Sequence, residues 1–285
     1  MKTILVLTDF SENAGHAAKT IARHAKNLNA DILLYNTYYD HPILPDYSGG
    51  PWIAEAFVLS KNRSEAQLSE LTVQLTQVIA ESAGDGFNPQ IRSLCGEGAL
   101  GKNVAAVIPE NDVELVVIGN STDSTIDHLI FGSDTMDVLD HAPCPVLIIP
   151  PKAEMLHLKK VTLATAFELS AINAINYLGN LGQKLNFELE VVHVSVFEEK
   201  DDLVKEKAIQ NHINAIKQAD ITYKQIWGKD VVKRLNRLCA ENGSDMLALV
   251  HHQQGFFSTI FSKSATAAVV AGNKIPLMVI PSEME

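Results

Sequence analysis

The chain of 285 residues is acidic, with 23 lysines and arginines against 34 aspartates and glutamates, a formal net charge of −11, and 46% of its residues are hydrophobic. This length allows one large domain or two domains of about 140 residues. The negative charge weighs against nucleic acid and anionic lipid as partners. The apolar runs fall far short of the roughly 20 residues of a membrane helix. Because the three cysteines are too few for a disulfide framework or a tetrahedral zinc site, we expect a soluble, cytoplasmic protein.

Strand and helix patterns alternate through the first half of the chain. Short, nearly continuous apolar runs predict strands at 4–8, 32–35, 90–94, 115–118 and 146–149. Apolar residues at three- and four-residue spacing predict helices at 14–28, 52–82, 100–108 and 133–141. Ser11 is the predicted N-cap of the first helix, and the turn-rich segment 38–51 is a predicted loop. Such alternation is typical of a parallel sheet covered by helices on both faces.

The same order of elements begins again after Pro150-Pro151. The second half has predicted strands at 161–164, 189–194, 246–250 and 277–280, and predicted helices at 169–185 and 265–271. Thr8-Asp9-Phe10 aligns with Thr165-Ala166-Phe167 at an offset of 157, and later segments align at an offset of 131. The second repeat is therefore 157 − 131 = 26 residues shorter than the first over this stretch. The deletion falls in the long loop and the second helix, where it is well tolerated. We therefore predict two domains, 1–150 and 151–285, rather than one large α/β sheet.

Polar residues and a glycine follow the predicted strands of the first domain at the edge where open parallel sheets bind ligands. These positions are Thr8, Asp9, either Asn36 or Thr37, and Gly119. Gly132-Ser133 opens the helix at 133–141. A glycine lets the backbone approach an anion, and a helix N-terminus offers N–H groups and the positive end of its dipole. Spacing alone leaves two interpretations open: a phosphate site, or a turn glycine followed by a helix cap.

Two segments of the first domain resemble the universal stress protein family. ILVLTDFSENAGHA resembles the opening of its fold, and VELVVIGNSTDSTIDHLIFGSDTMDVLDHAPCPVLIIP resembles its closing part. That family has a Gly-x-x-Gly, nine residues, Gly-Ser/Thr phosphate motif, followed by a helix and a His-x-Pro-Cys-Pro-Val strand. The resemblance implies an α/β fold of two doubly wound five-stranded parallel-sheet domains in tandem, each with strand order 3-2-1-4-5. It also implies a pseudo-dimer in which the last strands, 146–149 and 277–280, pair within one chain.

The first domain keeps part of the family's ATP-binding pattern, at Asp9, Gly119, Gly132 and Ser133. It departs at Thr122, where a second glycine is expected, and at Ser121, where an arginine is common; Asp134 adds a negative charge near the phosphates. The resemblance thus implies ATP or another adenine nucleotide, with Mg²⁺ as a companion ion, bound with weakened triphosphate contacts. The expected contact residues are Thr8, Asp9, Asn36, Gly119, Thr122, Gly132 and Ser133.

The second domain is expected to have lost this site. At the two offsets Asp9 becomes Ala166, Gly119 becomes Val250, and the remaining motif positions become Gln253, Lys263 and Ser264. A side chain at positions 250 and 263 occupies space that the family leaves as bare backbone beside phosphate. We therefore predict that this domain is kept for architecture.

The resemblance implies a stress-response role in which the first domain binds a nucleotide or another small ligand, and we favour regulation without catalysis. Two alternatives stay open: slow hydrolysis of ATP, and binding of a different small molecule with 38–60 as a lid or pocket wall. Neither a catalytic nor a metal site is predicted. His128 and His141 have the pattern of solvated surface histidines, and Cys95 that of a buried thiol. His251-His252 lacks the third and fourth ligands that a metal ion needs. A protein partner fits this role, whereas nucleic acid and membrane do not; further pairing into a homodimer is left open.

Overall fold

The computed structural model describes residues 2–38, 51–82, 86–119, 133–151, 158–165, 170–195, 209–214, 220–229, 231–251 and 275–283, with the single residues 153, 155 and 207. The described chain forms two compact units, one of residues 2–119 and 133–142 and the other starting at Pro143. Some predicted features lie outside the described residues, namely the loop 39–50, the helix 265–271, Ser121, Thr122, His128, Gly132, Ala166, His252, Gln253, Lys263 and Ser264.

The first unit alternates strands and helices. Its elements are β1 (Thr3–Leu7), α1 (Glu12–Leu28), β2 (Asp31–Tyr38), α2 (Pro51–Glu81), β3 (Ile91–Glu97), α3 (Leu100–Glu110), β4 (Val113–Gly119) and α4 (Ser133–His141). The strand order is β3-β2-β1-β4, and every pair is parallel. β1 is buried along its whole length, whereas most of β3, at the edge of this order, is exposed. The helix predicted at 52–82 begins at Pro51, so the second half of the 38–60 segment is helical.

Local sequence explains where α1 begins and ends. Ser11 has an extended backbone and its hydroxyl accepts a hydrogen bond from Ala14 N at 3.2 Å, which confirms the predicted N-cap. Asn29 ends the helix in the left-handed conformation, with φ of 52°, and its N–H bonds the carbonyls of the last turn. Alanines and Ile21 form the buried face, so α1 packs closely on the strands beneath it.

Within its described residues the second unit has six strands. Its elements are β5 (Val146–Ile149), β6 (Lys160–Thr165), α5 (Ser170–Leu185), β7 (Glu188–Ser195), β8 (Ile221–Trp227), α6 (Val231–Asn242), β9 (Met246–His251) and β10 (Leu277–Pro281). The strand order is β8-β7-β6-β9-β10-β5. All of these pairs are parallel except β10 with β5, which run antiparallel with Met278 opposite Leu147. The predicted pairing of the two last strands is therefore confirmed, and so is the α/β class.

The pairing of β5 with β10 also explains how the compact units divide. β5 follows α4 in the first sequence repeat, yet its backbone bonds join it to the last strand of the second. The second compact unit therefore starts at Pro143. The boundary between the two sequence repeats, at 150/151, is a different one, and as a domain boundary it stays a prediction. None of the helices in the described part of the chain combines the length and apolar content needed to cross a bilayer.

Candidate functional site

The loop between β1 and α1 is held by its own side chains. The Thr8 hydroxyl accepts from Phe10 N at 3.0 Å, and Asp9 Oδ1 accepts from Ser11 N at 2.9 Å. Phe10, between these two bonds, adopts the left-handed conformation with φ of 63°, which non-glycine residues seldom take. Thr8 is buried and Asp9 is exposed. The loop therefore presents the Asp9 carboxylate to solvent in a defined position.

Asn36 connects three elements beneath this loop. Its Nδ2 donates to the Thr8 carbonyl at 2.7 Å, and its Oδ1 accepts from the Ser64 hydroxyl of α2 at 2.6 Å. Asn36 and Ser64 are both buried. Because both ends of the amide already bind protein groups, we expect Asn36 to position the loop rather than to touch a ligand.

We predict that Asn36→Leu lowers the free energy of unfolding by about 2 kcal/mol, because the Thr8 carbonyl and the Ser64 hydroxyl lose their buried partner. Ser64→Ala removes only one of the two bonds and should cost about 1 kcal/mol. Urea denaturation of both variants measures the difference. Equal stability of Asn36→Leu and the parent would contradict a structural role for this amide.

Gly119 ends β4 at a close contact with the start of α1. A Cβ atom on Gly119 would lie 2.5 Å from the Asn13 carbonyl oxygen and 2.8 Å from Ala14 N. Real Cβ contacts are essentially never so short, so only glycine permits this approach. Packing against α1 thus supplies a reason for the glycine that spacing alone could not reveal.

The helix α4 is anchored to α3 through Asp137. Its Oδ2 accepts from Gly101 N at 2.7 Å, at a helix start where Ala99, the N-cap residue, has no side-chain cap bond. His141 Nδ1 lies 2.7 Å from the Asp137 carbonyl oxygen and 3.2 Å from its Oδ1. The interpretation of His141 as merely solvated was therefore incomplete. This anchoring sets the position of the α4 N-terminus, where Ser133 begins the helix.

A cleft of about 450 Å³ opens beside the β1–α1 loop and runs between α1 and α2. Thr8 and Phe10 line its loop end, while Lys19 of α1 and Glu70 of α2 line its walls. Apolar, cationic and anionic groups are thus combined in one depression of the first unit. The sequence pattern did not reveal it, because the two helices are joined by a long connection and meet only in the fold.

Neither of two cysteines is poised for chemistry. Cys95 is half-exposed rather than buried, which corrects the sequence-based interpretation. Desolvation raises the pKa of its thiol, and the negative charge of Glu65 raises it further. Desolvation raises the pKa of Cys239 to about 11. Both thiols are therefore poor nucleophiles near neutral pH. Among the described residues, no group of three or more His, Cys, Asp or Glu side chains could hold a metal ion.

In the second repeat a histidine makes the bond to a strand-end carbonyl that Asn36 makes in the first repeat. His193, at the position of Asn36, places Nδ1 2.9 Å from the Thr165 carbonyl oxygen. Because a carbonyl only accepts, Nδ1 carries the proton in this bond. At the position of Gly119 stands Val250, whose side chain is buried. The second repeat thus retains the side-chain bond at the strand ends but not the glycine.

Comparison with known proteins agrees with this geometry. Residues 1–150 match the universal stress protein family. The Thermus aquaticus protein named "Universal stress protein in QAH/OAS sulfhydrylase 3'region" is 30% identical over 148 residues, which cover 52% of this chain and 98% of that protein.

Two solved structures share the fold. A universal stress protein from Archaeoglobus fulgidus has a TM-score of 0.77 and 18% identity, covering 99% of this chain and 98% of that one. A putative universal stress protein from Pseudomonas aeruginosa has a TM-score of 0.56 and 13% identity, covering 98% and 92%. At these sequence identities the structural similarity is evidence for the fold only. Because the family match spans more than half of the chain, the protein belongs to the universal stress protein family.

Proposed function

We propose that this universal stress protein binds an adenine nucleotide in its first repeat, in the cytoplasm, and acts in the stress response as a binding protein rather than as a hydrolase. The supporting observation is the exposed Asp9 carboxylate on a loop that Thr8, Asp9 and Asn36 hold in place. A carboxylate at the carboxyl end of a parallel strand is placed to accept from a ribose hydroxyl or an adenine amine.

The phosphates would lie toward the N-terminus of α4. Exposed backbone N–H groups and the positive end of the helix dipole favour an anion there, and Ser133 begins this helix. Gly119, Thr122 and Gly132 remain predicted contacts, the last two outside the described residues. Asp134, exposed in the first turn of α4, adds a negative charge that favours AMP or ADP over ATP. Mg²⁺ would neutralise phosphate charge, and we propose that it enters bound to the nucleotide.

Calorimetric titration with AMP, ADP and ATP, with and without Mg²⁺, tests the site. Asp9→Ala should weaken binding at least tenfold, because a hydrogen bond to a charged group is worth about 1.5–3 kcal/mol. Asp9→Asn keeps an acceptor for Ser11 N and loses only the charge, so it should fall between the parent and Asp9→Ala. If both variants bind as tightly as the parent, Asp9 is not part of the site.

The stoichiometry and the fate of the nucleotide separate the alternatives. One nucleotide per chain is expected, since Val250 replaces the glycine in the second repeat. Phosphate release above the buffer rate would favour the hydrolase alternative.

Binding of a different small molecule is favoured by one observation, the cleft of about 450 Å³ between α1 and α2. A ligand there would contact Lys19 and Glu70 rather than the α4 N-terminus. Lys19→Ala should abolish binding at the cleft and leave nucleotide binding at Asp9 unchanged.

A further inference from the structure

The strand β8 and the helix α6 carry an unusual concentration of positive charge. Between residues 221 and 242 the chain has five basic and two acidic residues, a net charge of 5 − 2 = +3 in a protein of net charge −11. The basic residues are Lys224, Lys229, Lys233, Arg234 and Arg237. We call this face, together with Trp227, the β8–α6 patch.

Three of these charges, those of Lys224, Arg234 and Arg237, come together around Glu241. Arg237 Nε bonds Glu241 Oε1 at 2.6 Å, and Arg234 lies 3.6 Å from the other Glu241 oxygen. The Arg237 hydrogen bond, with the charges of Arg234 and of Lys224 across on β8, lowers the pKa of the Glu241 carboxyl. The patch thus already holds one carboxylate, supplied by the chain itself.

An aromatic side chain lies at the end of the same strand. Trp227 is 52% exposed, an unusual position for so large an apolar group. The next residue, Gly228, packs against the stem of Arg234, since a Cβ there would lie 2.9 Å from Arg234 Cβ. Because side chains alternate along a strand, Trp227 projects from the face of β8 opposite to Lys224, close to the end of the same edge strand. Aromatic residues and arginine are the types enriched where proteins bind partners.

The first repeat provides an internal comparison. Aligning Gly98 with Gly228 and Asn111 with Asn242 sets the two faces in register, with one residue more in the second repeat between these anchors. At the places of Lys224, Trp227, Lys229, Arg234 and Arg237 the first repeat has Leu94, Glu97, Ala99, Asn103 and Ala106. Residues 91–111 carry two basic and two acidic residues, so their net charge is 2 − 2 = 0. The fold therefore does not require the positive charge.

We propose that the β8–α6 patch is a docking surface for an acidic peptide segment of a partner protein. Charge complementarity supplies the main attraction. An extended peptide along the edge of β8 has side chains on both faces, so it can contact the exposed Trp227 as well as the cations. Among the described residues β8 pairs with β7 and no other strand, so its outer edge offers main-chain groups to an extended peptide. A long nucleic acid fits less well, because it would extend beyond the patch and be repelled by the negative charge of the rest of the protein.

Fluorescence anisotropy of labelled peptides on the full-length protein tests the proposal. The probe is an extended peptide of alternating glutamate and valine, and the comparison peptide has lysine in place of glutamate. Lys224→Glu with Lys229→Glu should weaken binding of the acidic peptide about tenfold, since each reversal replaces an attraction by a repulsion. Trp227→Ala should weaken it without changing its salt dependence.

Lys102→Glu is the matched control, because Lys102 is exposed at the Lys233 position of the first repeat. This variant should bind within about twofold of the parent, and circular dichroism verifies that all variants are folded. Equal binding of the acidic and basic peptides, an unchanged affinity of the double variant, or tighter binding of poly(U) RNA than of the acidic peptide would each overturn the proposal.

Discussion

Glu190→Ala is expected to lower the free energy of unfolding by about 2–4 kcal/mol, since it breaks a largely buried ion pair and hydrogen bond together. Glu190 Oε1 lies 3.2 Å from Lys160 Nζ, and Oε2 accepts from Asn242 Nδ2 at 2.5 Å. The Glu190 side chain is only 11% exposed and that of Lys160 24%. Removing the carboxylate leaves a cation and an amide in a poorly hydrated place without their partner.

The cost arises because Glu190 belongs to a wider polar network. The Thr162 and Ser244 hydroxyls lie 2.5 Å apart, and Ser244 Oγ donates to Asn242 Oδ1 at 2.7 Å. Thr162 is fully buried and Ser244 almost so. Buried polar groups stabilise only as a satisfied set, so loss of one member leaves the others without compensation.

The first repeat shows what an apolar alternative looks like. The positions of Thr162, Glu190, Cys239 and Ser244 are taken there by Leu5, Leu33, Ile108 and Val113, all of which are buried. Asn111, at the place of Asn242, donates instead to the Val107 carbonyl at 3.0 Å. Installing all four apolar residues together should recover part of the loss, because the Thr162 and Ser244 hydroxyls are then removed together with the carboxylate they accompany, while Lys160 still lacks its partner.

Urea denaturation of the single, combined and control variants measures this effect. Glu241→Ala is the matched control, because its pair with Arg237 is exposed and exposed pairs contribute less than about 1 kcal/mol. Hydrogen exchange of the β7 amides assigns the loss to the second unit. A loss no larger for Glu190→Ala than for Glu241→Ala would contradict a stabilising network.

Gly119→Ala is expected to have an effect of similar size, about 3 kcal/mol or more, through steric overlap. The added methyl group would meet the Asn13 carbonyl oxygen at 2.5 Å, and backbone atoms cannot move aside as a flexible side chain can. Either α1 shifts away from β4 or the end of β4 distorts. Both outcomes also displace the loop that presents Asp9.

Gly15→Ala provides the opposite control in the same unit. Gly15 lies within α1, and a methyl group added there would enter open space, with nothing within 4 Å of its Cβ position. Alanine should therefore stabilise the helix by about 1 kcal/mol. Thermal denaturation should thus show opposite signs for the two glycine-to-alanine changes. Destabilisation by both, or by neither, would show that the close approach at Gly119 is not what requires glycine.

Much of the first unit followed from sequence periodicity. β1, β2 and β4 are buried on both faces, so they appear as continuous apolar runs, and the predicted strands overlap the observed ones. In the second repeat β8 and α6 were not located. β8 lies at the end of its strand order and alternates exposed with partly buried residues, so it lacks a continuous apolar run.

The candidate site was predicted in part. Sequence indicated Thr8, Asp9, Asn36 and Gly119 as residues at one edge of a sheet, and the parallel pairing of β1 with β2 and β4 places them there. It did not indicate that the Asn36 amide is used by Thr8 and Ser64. Both partners lie 28 positions from Asn36. Thr8 meets it through the pairing of β1 with β2, and Ser64 meets it only when α2 packs on the sheet.

The α/β class, the two repeats and the helix cap at Ser11 could be predicted from the sequence, because they depend on local periodicity, internal similarity and a short-range bond. The antiparallel register of β5 on β10, the capping of α3 by Asp137 and the close contact of Gly119 with α1 emerge only in the folded chain. Each of these depends on the distance between elements far apart in the chain. That distance is set by how whole faces pack, and packing is a property of the assembled core rather than of any one segment.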